Sequence, residues 1–266
     1  MAKAGEMGMK KVWESLANSG TQEEAYPDNP RTDIRGMFAF QPKRILDIGC
    51  GLGAVSGAIK HDFPETFAWG CELNPITADV AQTRLDKVSR TPMEEWGGDE
   101  LELLKTVDTV LLLDVLEHMY NPWSTLQVLR EHLPEHAQVI VSLPNCANIH
   151  IFHELANGFW HYKPAGVLDV THIRFFTHYE MRKMFYETGF KVAKQAYPYF
   201  LPYIQEDKVF PFWFGAESMQ LYVKDQSHWE SLNAVQIYFN LVTARDDQLT
   251  EEELTFKHES HPPTVS

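Results

Sequence analysis

Three glycines at alternate positions, Gly49, Gly51 and Gly53, follow a short apolar run, 45–48, that is broken by one acid, Asp47. Glycine lets a backbone turn sharply and lets a ligand lie against bare main chain. A helix starting at Ala54 would add free N–H groups behind the turn. Such a turn, with Cys50 inside it, is a seat for a nucleotide-type cofactor, and Gly49, Gly51 and Ala54 satisfy the loose pattern G-x-G-x-x-G/A. Two acids weigh on the choice of cofactor. Asp47, two residues before the first glycine, would repel a pyrophosphate but suits a cationic ligand. S-adenosylmethionine carries an ammonium and a sulfonium and no phosphate. Glu72 ends the next apolar run, 21 residues after Gly51. A carboxylate there can accept hydrogen bonds from both ribose hydroxyls of either cofactor class.

These residues need strands and helices to hold them. The run 45–48 reads as a buried parallel strand, followed by a helix to about Phe63. A second strand ends at Glu72, and Asn74-Pro75 opens a helix to about Leu85, with Asn74 the N-cap. A third strand is expected near 86–90, on a poor pattern. The near-continuous apolar run 107–114 is a fourth, buried strand. It delivers Asp114-Val115-Leu116-Glu117-His118 to the carboxyl ends of the strands, where open α/β sheets bind ligands. Asn121-Pro122 starts a helix to about His132. A fifth strand, 138–143, runs into Pro144-Asn145, again at the carboxyl end. The irregular stretch 146–176, rich in His and aromatics, is long for a connection in a compact domain and reads as a helical insertion over an acceptor pocket. Thr177-His178-Tyr179-Glu180 is a capping box for a helix that stops at Gly189. Strands follow at 190–198 and 234–243. Residues 199–233, aromatic between Tyr199 and Phe214, form a second insertion that either walls the pocket or makes a homodimer contact. Val12–Leu16 suggests a helical turn in an N-terminal arm, and 31–40 a helix before the first strand. The tail from 246 is acidic, then Pro-rich, and is expected to be disordered.

With Leu-Asp-Ile-Gly-Cys-Gly-Leu-Gly at 46–53, Gly-Cys-Glu-Leu-Asn-Pro at 70–75 and Asp-Val-Leu-Glu-His at 114–118, the sequence resembles the class I S-adenosylmethionine-dependent methyltransferases. The resemblance covers about 26–198. It implies an α/β fold with a Rossmann-like, seven-stranded, mostly parallel sheet, an antiparallel last strand, helices on both faces and insertions over the carboxyl end. The domain would span 44–245, behind an arm and cofactor-covering helix at 1–43. The resemblance further implies Tyr26 and Arg31 as lid residues, Glu72 and Leu73 at the ribose, Met93 and Glu94 beside the adenine, and Asp114 and Val115 along the cofactor's middle. The string Asp-x-Thr-His-x-Arg-Phe-Phe-Thr at 169–177 resembles a subgroup common in bacterial polysaccharide and cell-surface glycan pathways. The implied acceptor is a sugar or other small-molecule hydroxyl, and the implied product S-adenosylhomocysteine.

An alcohol acceptor must lose a proton, which a neutral His or a carboxylate can take. His118 and His172 are the candidate bases. The competing reading of His118 is helix capping or core bonding. Asp169 could orient His172, and Arg174 could hold an acidic substrate group; alternatively these residues lock the insertion onto the sheet. Asn145, His150 and His153 complete the acceptor side. His150 and His153, three apart on one helix face, could bind a metal, but no carboxylate completes a set, and no metal is expected. Three rivals remain open: an N-methyltransferase acting on an amino sugar or other small amine, a NAD-type oxidoreductase, and a non-catalytic cofactor-binding protein.

The 266 residues are 44% hydrophobic, enough for one large α/β domain. A formal net charge of −14 argues against nucleic-acid binding, which needs positive charge to release counterions. No apolar run is long enough for a membrane span, and the N-terminus lacks the apolar core of a signal peptide. Three cysteines without metal spacing suggest reduced thiols and a cytoplasmic location.

Overall fold

The computed structural model describes residues 28–198, 209–216 and 219–258. The suggested turn at Val12–Leu16, Tyr26, the 199–208 part of the second insertion and 259–266 lie outside the described residues. Strands β1 (Arg44–Ile48), β2 (Phe67–Cys71), β3 (Lys87–Ser89), β4 (Thr109–Leu113), β5 (Gln138–Pro144), β6 (Phe190–Ala196) and β9 (Gln236–Thr243) form one sheet. Its order is β3-β2-β1-β4-β5-β9-β6. The first five strands pair in parallel, and β9 runs antiparallel to both β5 and β6. This is the expected Rossmann-like sheet with its antiparallel last strand.

The strands are apolar at nearly every position because both faces are covered. Alternate side chains go to opposite sides. Leu46, Ile48, Val110, Leu112, Val139 and Val141 enter one core, and Ile45, Leu111 and Ile140 enter the other. The larger core takes Leu126 and Leu129 of helix α4 (Pro122–His132) and Met181, Met184 and Phe185 of α6 (His178–Glu187). The smaller takes Ile59 of α1 (Ala54–Asp62) and Ile34 and Met37 of the segment before β1. Helix α2 (Pro75–Gln82) starts as its cap pair dictates, with Asn74 accepting from Ile76 N at 3.0 Å. Thr177 caps α6, accepting from Glu180 N at 3.2 Å, and Gly189 ends it at φ +84°.

Four differences from the sequence expectation have physical reasons. Before β1, only Thr32–Met37 is helical, and it is a 3-10 helix. Its buried residues Ile34 and Met37 are three apart, the period of that helix. Helix α3 (Gly98–Leu104) sits in a stretch with no expected element. Its two glycines, 97 and 98, suggest a breaker, but Asp99 and Glu100 favour a helix N-terminus and Leu104 is fully buried. The second insertion contains a hairpin, β7 (Phe212–Ala216) and β8 (Met219–Val223), and helix α7 (Gln226–Asn233). It packs on helix α5 (Ile149–Ala156) of the first insertion, through Val223, Trp229 and Leu232 against Ile149 and Phe152. Finally, the tail carries helical elements where its composition predicts disorder. A 3-10 turn, Asp246–Gln248, leads into α8 (Glu251–His258), whose Phe256 ring lies 4.5 Å from that of Tyr179 and 6.0 Å from that of Tyr186. One aromatic anchor holds a segment whose composition reads as solvated.

Candidate functional site

The glycine turn is built from β1, β2 and the start of α1. Gly49 N and Cys50 N both donate to Cys71 O, at 2.8 and 3.1 Å, which folds the turn back onto β2. Gly49 has φ +70°, and a Cβ there would stand 2.6 Å from Val115 Cγ2. Val115, the residue after Asp114, therefore lies directly over the turn. Any larger residue at 49 would fill the cradle.

Two carboxylates flank the turn, and both are buried. Asp47 accepts from Ser56 Oγ at 2.7 Å. Burial pushes its pKa up to about 7, and the nearby Glu72 adds to this, while the Ser56 bonds pull the other way. Glu72 binds main chain with both oxygens. It accepts from Gly51 N at 2.9 Å and from Asn74 N at 2.8 Å, tying the end of β2 to the turn and to the start of α2. Each oxygen keeps a lone pair for a hydroxyl. Burial also pushes the Cys71 thiol up to about 12, and the Cys50 thiol upward too. Bare main chain and two buried acids fit a cofactor that presents hydroxyls and positive charge.

At the end of β4, Asp114 adopts φ +57° and binds Arg31, itself at φ +45°. Arg31 Nη1 donates to Asp114 Oδ2 at 2.8 Å, and Nη2 donates to the Tyr238 hydroxyl at 2.7 Å. Ser142 Oγ donates to Asp114 Oδ1 at 3.0 Å, and Gln236 Nε2 donates to the same oxygen. The Tyr238 hydroxyl donates in turn to Asp33. Burial works against the charge on Arg31, but Asp114, Tyr238 and Asp33 outweigh it and raise its pKa. The segment before β1 is thus latched to the carboxyl ends of β4 and β5 and to the amino end of the antiparallel β9.

Beyond Val115, a 3-10 turn, Leu116–His118, brings three side chains together. Glu117 is 1% exposed, and its Oε2 has no hydrogen-bond partner among the described residues. Burial raises its pKa well above the ordinary carboxylate value, and Asp114 and Asp169 add to that. His172 Nε2 lies 4.0 Å from Glu117 Oε1. His172 Nδ1 lies 3.1 Å from Val167 O, so Nδ1 carries the proton and Nε2 the lone pair. Burial lowers the pKa of His172. The His118 ring meets that of His172 edge-on, with centroids 4.8 Å apart, and its Nδ1 lies 3.3 Å from Thr171 O. Main chain also fixes the loop to the turn: Ile173 N and Arg174 N both donate to Glu117 O at 3.0 Å.

The two candidate bases therefore meet across a distance of 54 residues in sequence, but their expected partners differ. Asp169 does not orient His172; it accepts from Thr171 N and Thr171 Oγ1, at 2.8 and 2.6 Å. Val167 O and Glu117 take that place. Glu117 was not singled out by sequence, although it directly precedes His118 on the other side of a tight turn. Arg174 donates to Tyr120 O, and its guanidinium stands over the Tyr120 ring. Asn145 is fully buried and donates to Ser231 O and Ala234 O, at 2.7 and 3.0 Å, so it joins the second insertion to β5 and faces no substrate. His150 and His153 are exposed on α5, outside the three-residue group. Met93 is buried in the larger core, Glu94 is exposed with Oε1 3.4 Å from Thr125 Oγ1, and Leu73 is 57% exposed.

Known proteins agree with this architecture. A family model described as a methyltransferase domain matches residues 24–195. The mitochondrial ubiquinone biosynthesis O-methyltransferase of Schizosaccharomyces pombe is 30% identical over 113 residues, 41% of this chain and 40% of that protein. The chain thus spans about two fifths of that relative's length. Among solved structures, the plantazolicin methyltransferase BpumL in complex with SAH superposes with a TM-score of 0.52 at 15% identity, over 91% of this chain and 92% of its own. A SAM-dependent methyltransferase from Archaeoglobus fulgidus superposes with a TM-score of 0.50 at 16% identity, over 88% and 99%. The two structures share the fold. Among the described residues, no helix is long and apolar enough to cross a membrane. With a family match across most of the described sheet and a fold shared with solved S-adenosylmethionine-dependent methyltransferases, the chain belongs to the class I, S-adenosylmethionine-dependent methyltransferases.

Proposed function

We propose that the protein methylates a hydroxyl group of a small molecule, with a sugar or glycan precursor as the acceptor class. The observation that carries this reading is the fixed tautomer of His172, whose Nε2 lone pair points toward Glu117 and His118, a short step from the residue covering the glycine turn. Gly49, Gly51 and Gly53 would floor the cofactor, Glu72 would take the ribose hydroxyls and Asp47 would balance the positive charge. When bound, S-adenosylmethionine supplies a methyl on a sulfonium, and the S–C bond breaks with its electron pair left on sulfur as the acceptor–carbon bond forms. The chain's own task is to align the acceptor, exclude water and receive a proton. His172 Nε2 receives it, and Val167 O holds the ring in the accepting tautomer. His118, exposed at the mouth, is the second proton site. The name of the fission-yeast relative, an O-methyltransferase, supports oxygen as the target atom. The glycan class rests on the Asp-x-Thr-His-x-Arg-Phe-Phe-Thr string alone.

Calorimetric titration with S-adenosylhomocysteine beside NADH tests the cofactor: saturable binding of the first alone is expected. His172→Ala is then expected to lower turnover of a hydroxyl acceptor by about 10²–10⁴-fold with cofactor affinity kept. Loss of cofactor affinity, or full turnover in the variant, overturns the base assignment. A free amine needs no strong base, so turnover of amino sugars that survives His172→Ala would point to N-methylation instead.

A further inference from the structure

We propose that Glu117, His118 and His172 bind a divalent transition-metal ion at the acceptor side of the site. The inference deepens the hydroxyl-transfer reading and rests on it.

One ligand atom of each residue lies within 4.8 Å of the others. Ligand atoms around an ion with bonds of about 2.0–2.2 Å stand roughly 3–3.5 Å apart, so small side-chain rotations close the set. Three features suit an ion. First, Glu117 Oε2 is buried without a hydrogen-bond partner among the described residues, on a side chain 1% exposed. A buried carboxylate oxygen left unpaired is costly, and a cation removes the cost. Second, His172 Nδ1 donates to Val167 O, which leaves Nε2 as the coordinating atom. A backbone carbonyl on the second ring nitrogen is the usual support of a metal-bound histidine. Third, His118 repeats this arrangement, with Nδ1 3.3 Å from Thr171 O. Two imidazoles and one carboxylate form the donor set that holds Mn²⁺, Fe²⁺ or Zn²⁺ with open positions. Mg²⁺ and Ca²⁺ prefer oxygens throughout. Asp114 stays outside the set because Arg31, Ser142 and Gln236 already occupy its oxygens.

His118 is the exposed member, so the open positions face the acceptor. An acceptor hydroxyl bound there would be acidified by the cation, and its proton would leave to solvent water. The ion then takes the place that the proton takes at His172 Nε2 in the metal-free protein. It also adds specificity: an acceptor with two adjacent oxygens can chelate it, and one with a single hydroxyl cannot.

The test uses the full chain, stripped with a chelator and titrated with Mn²⁺ without acceptor. Binding is read from loss of the free-ion paramagnetic resonance signal. One ion per chain is expected. Glu117→Gln, His118→Ala and His172→Ala should each weaken binding at least about tenfold. His136→Ala, in the exposed loop before β5, should not. His118 is exposed, so its replacement tests the site even if Glu117→Gln does not fold. Cofactor affinity, measured on the same samples with S-adenosylhomocysteine, should change little. Absent or non-saturable Mn²⁺ binding, or binding indifferent to all three replacements, overturns the proposal. In that event, transfer to hydroxyl acceptors that persists in chelator leaves the histidine-base reading standing alone. Conversely, Mn²⁺ binding with the expected variant pattern, but no transfer to any hydroxyl acceptor, sinks the hydroxyl reading and keeps the metal site.

Discussion

Asp47→Asn separates the electrostatics of the cofactor site from its shape. Unfolded, Asp47 titrates near 3.8; in the folded protein burial moves it to about 7. Between those values the folded chain holds a proton that the unfolded chain has lost. The contribution of Asp47 to the stability of the cofactor-free protein is therefore greatest below the lower value, falls as pH rises through the window and levels off above about 7. The full displacement corresponds to roughly 4 kcal/mol, an upper value for one fully buried group. Asn keeps the size and an acceptor for Ser56 Oγ but cannot ionise. The charged and titratable neighbours are Glu72 and the Cys50 thiol, and both remain in the variant. Denaturant unfolding across the window should show the Asp47 share of the slope disappearing, with the difference between variant and parent near zero at the acid end and growing to at most roughly 4 kcal/mol above neutrality. Binding gives the opposite signature. A cationic cofactor favours ionised Asp47, so S-adenosylmethionine binding at about pH 6 should release close to one proton from the parent and almost none at about pH 8. Calorimetry in buffers of different ionisation enthalpy reads that number directly. Asp47→Asn should release none at either pH and bind more weakly. If the parent releases no proton near pH 6, or the variant keeps the stability slope, then the charge of Asp47 is not what burial and the cofactor compete for.

Three further replacements have defined outcomes. Gly49→Ala places a Cβ 2.6 Å from Val115 Cγ2 at φ +70°; unfolding should show a loss of about 2–4 kcal/mol, and S-adenosylhomocysteine titration should show at least tenfold weaker binding. Arg31→Ala strips the partly buried Asp114 of its ion pair and Tyr238 of a donor. It should cost roughly 1–3 kcal/mol in denaturant, and Arg31→Lys should restore only part of this, since a single ammonium cannot reach both partners in the fork geometry. Phe256→Ala removes the ring that meets Tyr179, Tyr186 and Arg182; limited proteolysis should then cut within 251–258 while the main unfolding transition stays within a few degrees of the parent.

The cofactor end of the site is legible from sequence because it is local. The glycine turn, Asp47 and the strand that holds them lie within ten residues, and a continuous apolar run and glycine chemistry fix their geometry without reference to the rest of the fold. Cap pairs such as Asn74-Pro75 and Asn121-Pro122 mark helix starts for the same reason. The acceptor end is not local. His172 reaches His118 where Ile173 and Arg174 hang on the carbonyl of Glu117. Nothing in the spacing of residues 118 and 172 encodes that bond. Asn145 shows the converse error: its position after β5 suggests a ligand, but the later insertion covers it and takes up its side-chain amide. In the tail, a composition rich in Asp and Glu hides the single aromatic that anchors it, Phe256.

The attachment of the acceptor loop has an evolutionary consequence. Cys146 N donates to Phe176 O, Lys163 N to Leu168 O, and Ile173 N and Arg174 N to Glu117 O. Each of these ties uses only peptide groups, so none constrains the amino acid that carries it, proline as donor excepted. The exposed side chains between 157 and 166 can therefore be exchanged without detaching the loop from β4, whereas Val167 and Leu168 are held in a buried cluster. Selection for a new acceptor can act on those positions while the cofactor cradle, which tolerates almost no change at Gly49, stays as it is. The chain thus divides into a conservative half and a permissive half, separated at the carbonyl oxygen of Glu117.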